Sequence, residues 1–129
     1  GNIPLIAHTI VIALKTNFFS SVIVSTDNVK IAKISKKFGA EVPFLRPKKL
    51  ATDNASMTDV LFHTITKLKQ LNYEFDTIVS RDCTVPFIDK KDICGSLKTY
   101  YSKPCNLVCG VYKQHHNPYF NMMETKKEK

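Results

Sequence analysis

The chain has 129 residues, of which 43% are hydrophobic and 23% charged, and it carries a formal net charge of +8. That length holds one domain burying roughly two thirds of its unfolded surface, and no apolar run approaches the ~20 residues needed to span a bilayer. Gly1-Asn2-Ile3-Pro4 lacks the basic-then-apolar pattern of a secretion signal, so a cytoplasmic location is expected.

Helical and strand-like segments alternate along the chain. Pro4 suits a first helical turn, and Leu5, Ile6, Ile10 and Leu14 recur at helical spacing, predicting a helix over residues 4–16. Ser20-Ser21 end it, and Val22-Ile23-Val24 read as a short buried strand. Asp27 or Asn28 then caps a helix through Phe38, with Ile31, Ile34 and Phe38 inward and Lys30, Lys33, Lys36 and Lys37 outward. Gly39 stops that helix.

Val42 to Leu45 form a second strand, which Pro47 keeps from extending. Ser56 and Asp59 match a capping box, and Met57, Val60, Leu61, Ile65 and Leu68 give the apolar stripe of a helix ending near Asn72. Thr77-Ile78-Val79 make a third strand, Asp89 caps a fourth helix with Ile93, Leu97 and Tyr100 or Tyr101 inward, and Leu107 to Tyr112 make a fourth strand. Glu124 to Lys129 form a charged, frayed end. Such alternation predicts a single α/β domain with parallel pairing through right-handed crossovers.

Cys83, Cys94, Cys105 and Cys109 form no CxxC pair and no histidine stands at zinc spacing, so they read as buried thiols. On a strand, Cys105 and Cys109 would share a face about 13 Å apart, too far to bridge. The scattered lysines accompany no nucleic-acid motif, and the aromatics do not interleave with them. A solvated basic surface is the reading preferred over nucleic-acid binding.

Three signals stand in fixed order: Ser25-Thr26-Asp27, Gly39 to Pro47, and Ala51 to Ser56. The first two place polar residues just beyond the carboxyl ends of predicted strands, where open α/β sheets bind ligands. Arg46 can donate to the acceptors of a base, or it is a surface arginine paired with Glu41 or Asp53. Ala55 and Ser56 open a helix whose N–H groups suit a ribose or phosphate oxygen, or they form a plain N-cap. Asp27 supports a substrate or caps the next helix. Asp82, at the end of a predicted strand, holds Mg²⁺ or pairs with Arg81. His8 and His63 lie on helix faces and read as structural.

Several segments together resemble the CMP-sialic acid synthetase family of cytidylyltransferases. They are Ile3-Pro4-Leu5-Ile6-Ala7-His8-Thr9-Ile10, Val22 to Asp27, Ile31-Ala32-Lys33, Phe38 to Pro47, and His116-Asn117-Pro118-Tyr119-Phe120-Asn121-Met122. The resemblance implies a Rossmann-like, mainly parallel sheet with helices on both faces, present here as one incomplete domain over residues 1–129. It implies transfer of CMP from CTP to an acidic nine-carbon sugar with release of pyrophosphate, Mg²⁺ as cofactor, and a homodimer when intact.

By the same resemblance Arg46, Ala55, Ser56 and Thr84 face the nucleotide; Asp82, which stands in place of the family's glutamine, is expected from its carboxylate at a strand end to join them as the metal-holding and catalytic group. Asp27, His116, Asn117, Tyr119 and Asn121 face the sugar acid. His116 as a base competes with a merely exposed loop histidine. Where the family often reads Gln-Pro-Thr-Ser-Pro-Leu-Arg, this chain has Asp82-Cys83-Thr84-Val85-Pro86-Phe87-Ile88. The variant keeps open a synthetase for pseudaminic, legionaminic or ketodeoxyoctonic acid, and beside it a non-catalytic nucleotide-binding scaffold.

Family members begin with a strand and a glycine-rich basic loop, and they continue past the segment matched by Asn121-Met122. The resemblance therefore implies an internal fragment with two inner sheet edges unpaired. Unpaired edges predict association and no activity for the isolated chain.

Overall fold

The computed structural model describes residues 2–111, in two compact units, one through Gly95 and one from Ser96. Four helices punctuate them: α1 (Leu5–Thr16), α2 (Val29–Lys37), α3 (Met57–Gln70) and α4 (Lys90–Ser102), with a 3₁₀ turn at Lys48–Leu50. Among the described residues no helix is long and apolar enough to cross a membrane.

Pro4 stands at the N-cap of α1 with φ −57°, already close to helical, and Asn17 closes the helix in the left-handed region at φ 58°. The buried face is Ala7, Ile10, Ala13 and Thr16, whereas Leu5 and Leu14 of the expected stripe are exposed. Most of α1 is apolar, so spacing alone does not select its packed side. The small Ala7 and Ala13 allow close approach, and α1 packs on α2.

In α2 the cap is Asn28: its Oδ1 accepts from Lys30 N at 2.8 Å and Ile31 N at 3.3 Å. Ala32 and Ser35 are buried, and the Ser35 hydroxyl donates to Ile31 O at 2.9 Å, which lets a polar side chain sit inside. Ile31, expected inward, is exposed. Gly39 ends the element at φ +94°.

The predicted four-stranded sheet is reduced, among the described residues, to one parallel bridge between Ile23 and Glu41. Glu41 N donates to Val22 O at 2.8 Å and Val24 N to Glu41 O at 2.9 Å, so α2 connects two segments that meet in parallel. The next rung would need an N–H from position 43, and Pro43 has none. Pairing resumes one residue late, with Arg46 N rather than Leu45 N donating to Thr26 O at 2.9 Å.

Thr77-Ile78-Val79 and Leu107 to Val111 form no strand among the described residues. Leu107 and Val111 are accordingly exposed, as are Cys105 and Cys109, against the expectation of buried thiols; all four cysteines are free.

α3 starts at Ser56, whose hydroxyl accepts from Thr58 N at 3.2 Å. The return bond of the expected box, from Ser56 N to Asp59, is not made among the described residues; aspartate is one methylene shorter than the glutamate that closes it. Leu68 is buried, Val60, Leu61 and Ile65 are half-buried, and Met57 is exposed. In α4 the reciprocal pattern does close: Asp89 Oδ1 accepts from Lys91 N and Asp92 N, and Asp92 Oδ2 accepts from Asp89 N at 2.8 Å. Ile93 is its buried anchor.

Candidate functional site

The predicted nucleotide residues all fall in the unit that ends at Gly95. Its organising feature is the segment from Glu41 to Arg46, pinned on one edge by the bridge to Ile23 and on another side by α3. Phe44 meets His63 of α3 edge to face at 5.5 Å, and Glu41 Oε2 accepts the Tyr73 hydroxyl at 2.6 Å. Moving from Glu41 to Phe44 thus corresponds to moving back along the chain from Tyr73 to His63.

Asp27 and Arg46 are brought together through the backbone. Arg46 N bonds Thr26 O, immediately before Asp27, and Thr26 is buried with its Oγ1 accepting from Asn28 N at 3.2 Å. Because Asn28 caps α2, the exposed Asp27 carboxylate is not engaged in capping and takes no partner among the described residues.

Arg46 is half-buried, and its Nε is shut off from solvent without a hydrogen-bond partner among the described residues. Neither alternative partner claims it, since Glu41 is held by Tyr73 and Asp53 makes no bond to it. A buried guanidinium N–H without an acceptor is costly, and a ligand acceptor relieves that cost.

Around α3 the N–H of Ala55 donates to Thr52 O at 3.0 Å, so it closes a turn instead of facing a ligand. The Ser56 hydroxyl serves as the cap. The reading of this pair as an N-cap is what the hydrogen bonds display.

Asp82 and Thr84 form a local turn. Asp82 Oδ1 accepts from Thr84 N at 2.9 Å, and Val85 N donates to Asp82 O at 3.4 Å. The Thr84 N–H, and after it the Thr84 hydroxyl, hold the Asp82 carboxyl below the usual carboxylate range, with slight burial acting the other way. Asp82 is therefore an ionised, exposed, hard oxygen donor. It is not paired with Arg81, whose Nη2 donates to Val85 O at 3.1 Å.

No group of three metal-ligating side chains forms among the described residues. One carboxylate with room around it suits Mg²⁺, which usually keeps several waters and completes its shell with substrate phosphates. His116, Asn117, Tyr119 and Asn121 lie outside the described residues.

An open cleft of about 340 Å³ between α2 and the run Val42 to Leu45 is floored by Ala32, Val42 and Phe44 and flanked by Lys33 and Lys36. None of the predicted site residues lines it. Sequence reasoning missed the register slip, whose signal was a proline inside the second strand, and weighed Arg81 only as a partner of Asp82.

Residues 1–126 match the cytidylyltransferase family. The flagellin modification protein B of Campylobacter coli is 30% identical over 125 residues, 96% of this chain and 53% of that protein. A pseudaminic acid cytidylyltransferase of Campylobacter jejuni is 37% identical over 78% of this chain and 41% of its own length. An N-acylneuraminate cytidylyltransferase of Escherichia coli is 34% identical over 75% of this chain and 22% of its own. The chain spans about half the length of these relatives or less. With the family match running along nearly its whole length, the chain belongs to the cytidylyltransferases.

Proposed function

We propose that this chain supplies the nucleoside-recognising part of an enzyme that transfers CMP from CTP to an acidic nine-carbon sugar, releasing pyrophosphate. The observation carrying this reading is Arg46: its backbone N–H is bonded to Thr26 O, and its Nε is buried without an acceptor among the described residues. Cytosine offers O2 and N3 as acceptors to such a donor. Asp27, exposed and without a partner among the described residues, supports a role in accepting from sugar hydroxyls.

Asp82, ionised by the Thr84 N–H, is the group that would hold Mg²⁺, whose chemistry is to neutralise charge building on the transferred phosphoryl oxygens. The Ser56 hydroxyl caps α3, and the N-terminal end of a helix favours negative charge of the kind a nucleotide carries. The sugar acid is N-acylneuraminate or one of its relatives, pseudaminic or legionaminic acid. The names of the relatives span these substrates, and the Asp82-Cys83-Thr84-Val85-Pro86 run departs from the family's usual wording.

The test uses the full-length protein with CTP, Mg²⁺ and a panel of these acids, reading pyrophosphate release. Arg46→Ala is expected to raise KM for CTP at least tenfold. Equal use of CTP and UTP by the parent protein, or an unchanged KM in a folded Arg46→Ala variant, overturns the reading.

A further inference from the structure

We propose that Arg81 is a specificity-determining oxyanion anchor, donating to a phosphate or carboxylate of the substrates; the proposal rests on the cytidylyltransferase reading above. Exposure along the segment alternates: Thr77, Val79 and Arg81 are half-buried while Ile78, Ser80 and Asp82 are exposed. That period of two sets Arg81 on the inner side even though no ladder forms.

The loop after it is built to hold the guanidinium in place. Nη2 donates to Val85 O at 3.1 Å, and the loop between them is closed by the Asp82–Thr84 turn at 2.9 Å. The other two nitrogens, Nε and Nη1, are cut off from solvent and have no partner among the described residues.

Arginine does not lose its proton at any accessible pH, so Arg81 brings a permanent charge and several donors that demand acceptors. The carboxylate next to it in sequence, Asp82, accepts from Thr84 N and makes no ion pair with it among the described residues. A fixed cation with two desolvated, unanswered nitrogens is matched by an anionic oxygen from outside. In the reaction proposed, such oxygens come from the triphosphate of CTP or the carboxylate of the sugar acid. If Arg81 only staples the loop, Val85 O is its sole purpose and substrate affinity is indifferent to its charge.

The test compares Arg81→Gln and Arg81→Lys with the parent in the full-length protein, after thermal unfolding has established that both variants are folded. Arg81→Gln is expected to raise KM for one substrate at least tenfold while the other stays within twofold, and Arg81→Lys to recover part of the loss. A rise for CTP identifies the phosphate as the ligand, and a rise for the sugar acid the carboxylate. Both KM values within twofold of the parent, or a fall in kcat alone, overturn the anchor.

Calorimetry with pyrophosphate and with N-acetylneuraminic acid separates this from the functional reading, because it needs no turnover. If the parent transfers no CMP yet binds either probe, and Arg81→Gln weakens that binding tenfold, the anchor stands without the reading. Binding of neither probe by the parent, or equal binding by the variant, refutes it.

Discussion

Replacing Gly39 with alanine tests how the turn between α2 and the Glu41–Arg46 segment is held. Gly39 has φ +94°, and a Cβ built there lies 2.9 Å from Leu14 Cδ1 of α1. Two costs follow. A side chain in the left-handed region costs about 1–2 kcal/mol, and a φ this far past the usual well belongs at the upper end. The contact is cheaper: Leu14 is 40% exposed, and its terminal methyl can swing away for about 0.5 kcal/mol of rotamer strain.

The sum, about 2.5 kcal/mol, is a large share of the ~5–15 kcal/mol that holds a domain together. At a urea slope of about 2 kcal/mol per molar it lowers the denaturation midpoint by about 1 M. Leu14→Ala in the same background removes the contact and leaves the backbone cost, so a double-mutant cycle should return a coupling of only about 0.5 kcal/mol. Loss of less than about 0.5 kcal/mol in Gly39→Ala, or recovery of most of it by Leu14→Ala, would refute the assignment of the cost to backbone conformation.

Asn28→Ala should cost about 1 kcal/mol in urea unfolding and speed hydrogen exchange at Lys30 and Ile31, whereas Asn28→Asp keeps the cap and stays near the parent. Asp27→Ala, removing a carboxylate that caps nothing, should leave the unfolding midpoint unmoved. The Asp82 carboxyl should titrate by NMR below the ordinary aspartate value. Its stabilising effect is present above that ordinary value and is lost as pH falls through the depressed one, and Thr84→Pro, which deletes the N–H, should bring the midpoint back up. The Tyr73 phenol, held up by its hydrogen bond to Glu41, should ionise above its usual 10.0 in an ultraviolet titration. Its contribution is present below the usual value and is lost as pH rises through the raised one, and Glu41→Gln should lower the midpoint.

The helices were legible because their ends carry local chemistry. Pro4, Asn28, Ser56, Asp89 and Gly39 each act within a few residues of where they stand. Which side of a helix packs was less legible. In α1 nearly every face is apolar, so the small Ala7 and Ala13 win over the larger Leu5 and Leu14 through closeness of approach. Strands depend on neighbours, and a run such as Thr77-Ile78-Val79 states a preference that pairing must complete. At the site, Arg46 was readable from its place after an apolar run and before Pro47. Asp27 was not separable from Asn28, since both residue types cap helices and only one can occupy the cap.

The proline inside the second segment connects these observations. Had position 43 carried an N–H, the parallel register would have continued and Leu45 N would have met Thr26 O. With that donor missing the chain takes one extra residue, Leu45 is left 49% exposed, and Arg46 occupies the rung instead. The Arg46 main chain is thereby tied to the residue before Asp27, and its Nε is shut off from water. Arg81 is held through its side chain to Val85 O, and like Arg46 it has buried guanidinium nitrogen without an acceptor among the described residues. Two such groups in one unit of a basic chain are difficult to explain by stability, because each burial is a cost. They are consistent with a site shaped for a ligand rich in oxygen acceptors, and the pair gives each substitution an internal control: loss of Arg46 should act on the nucleoside, and loss of Arg81 on the anion.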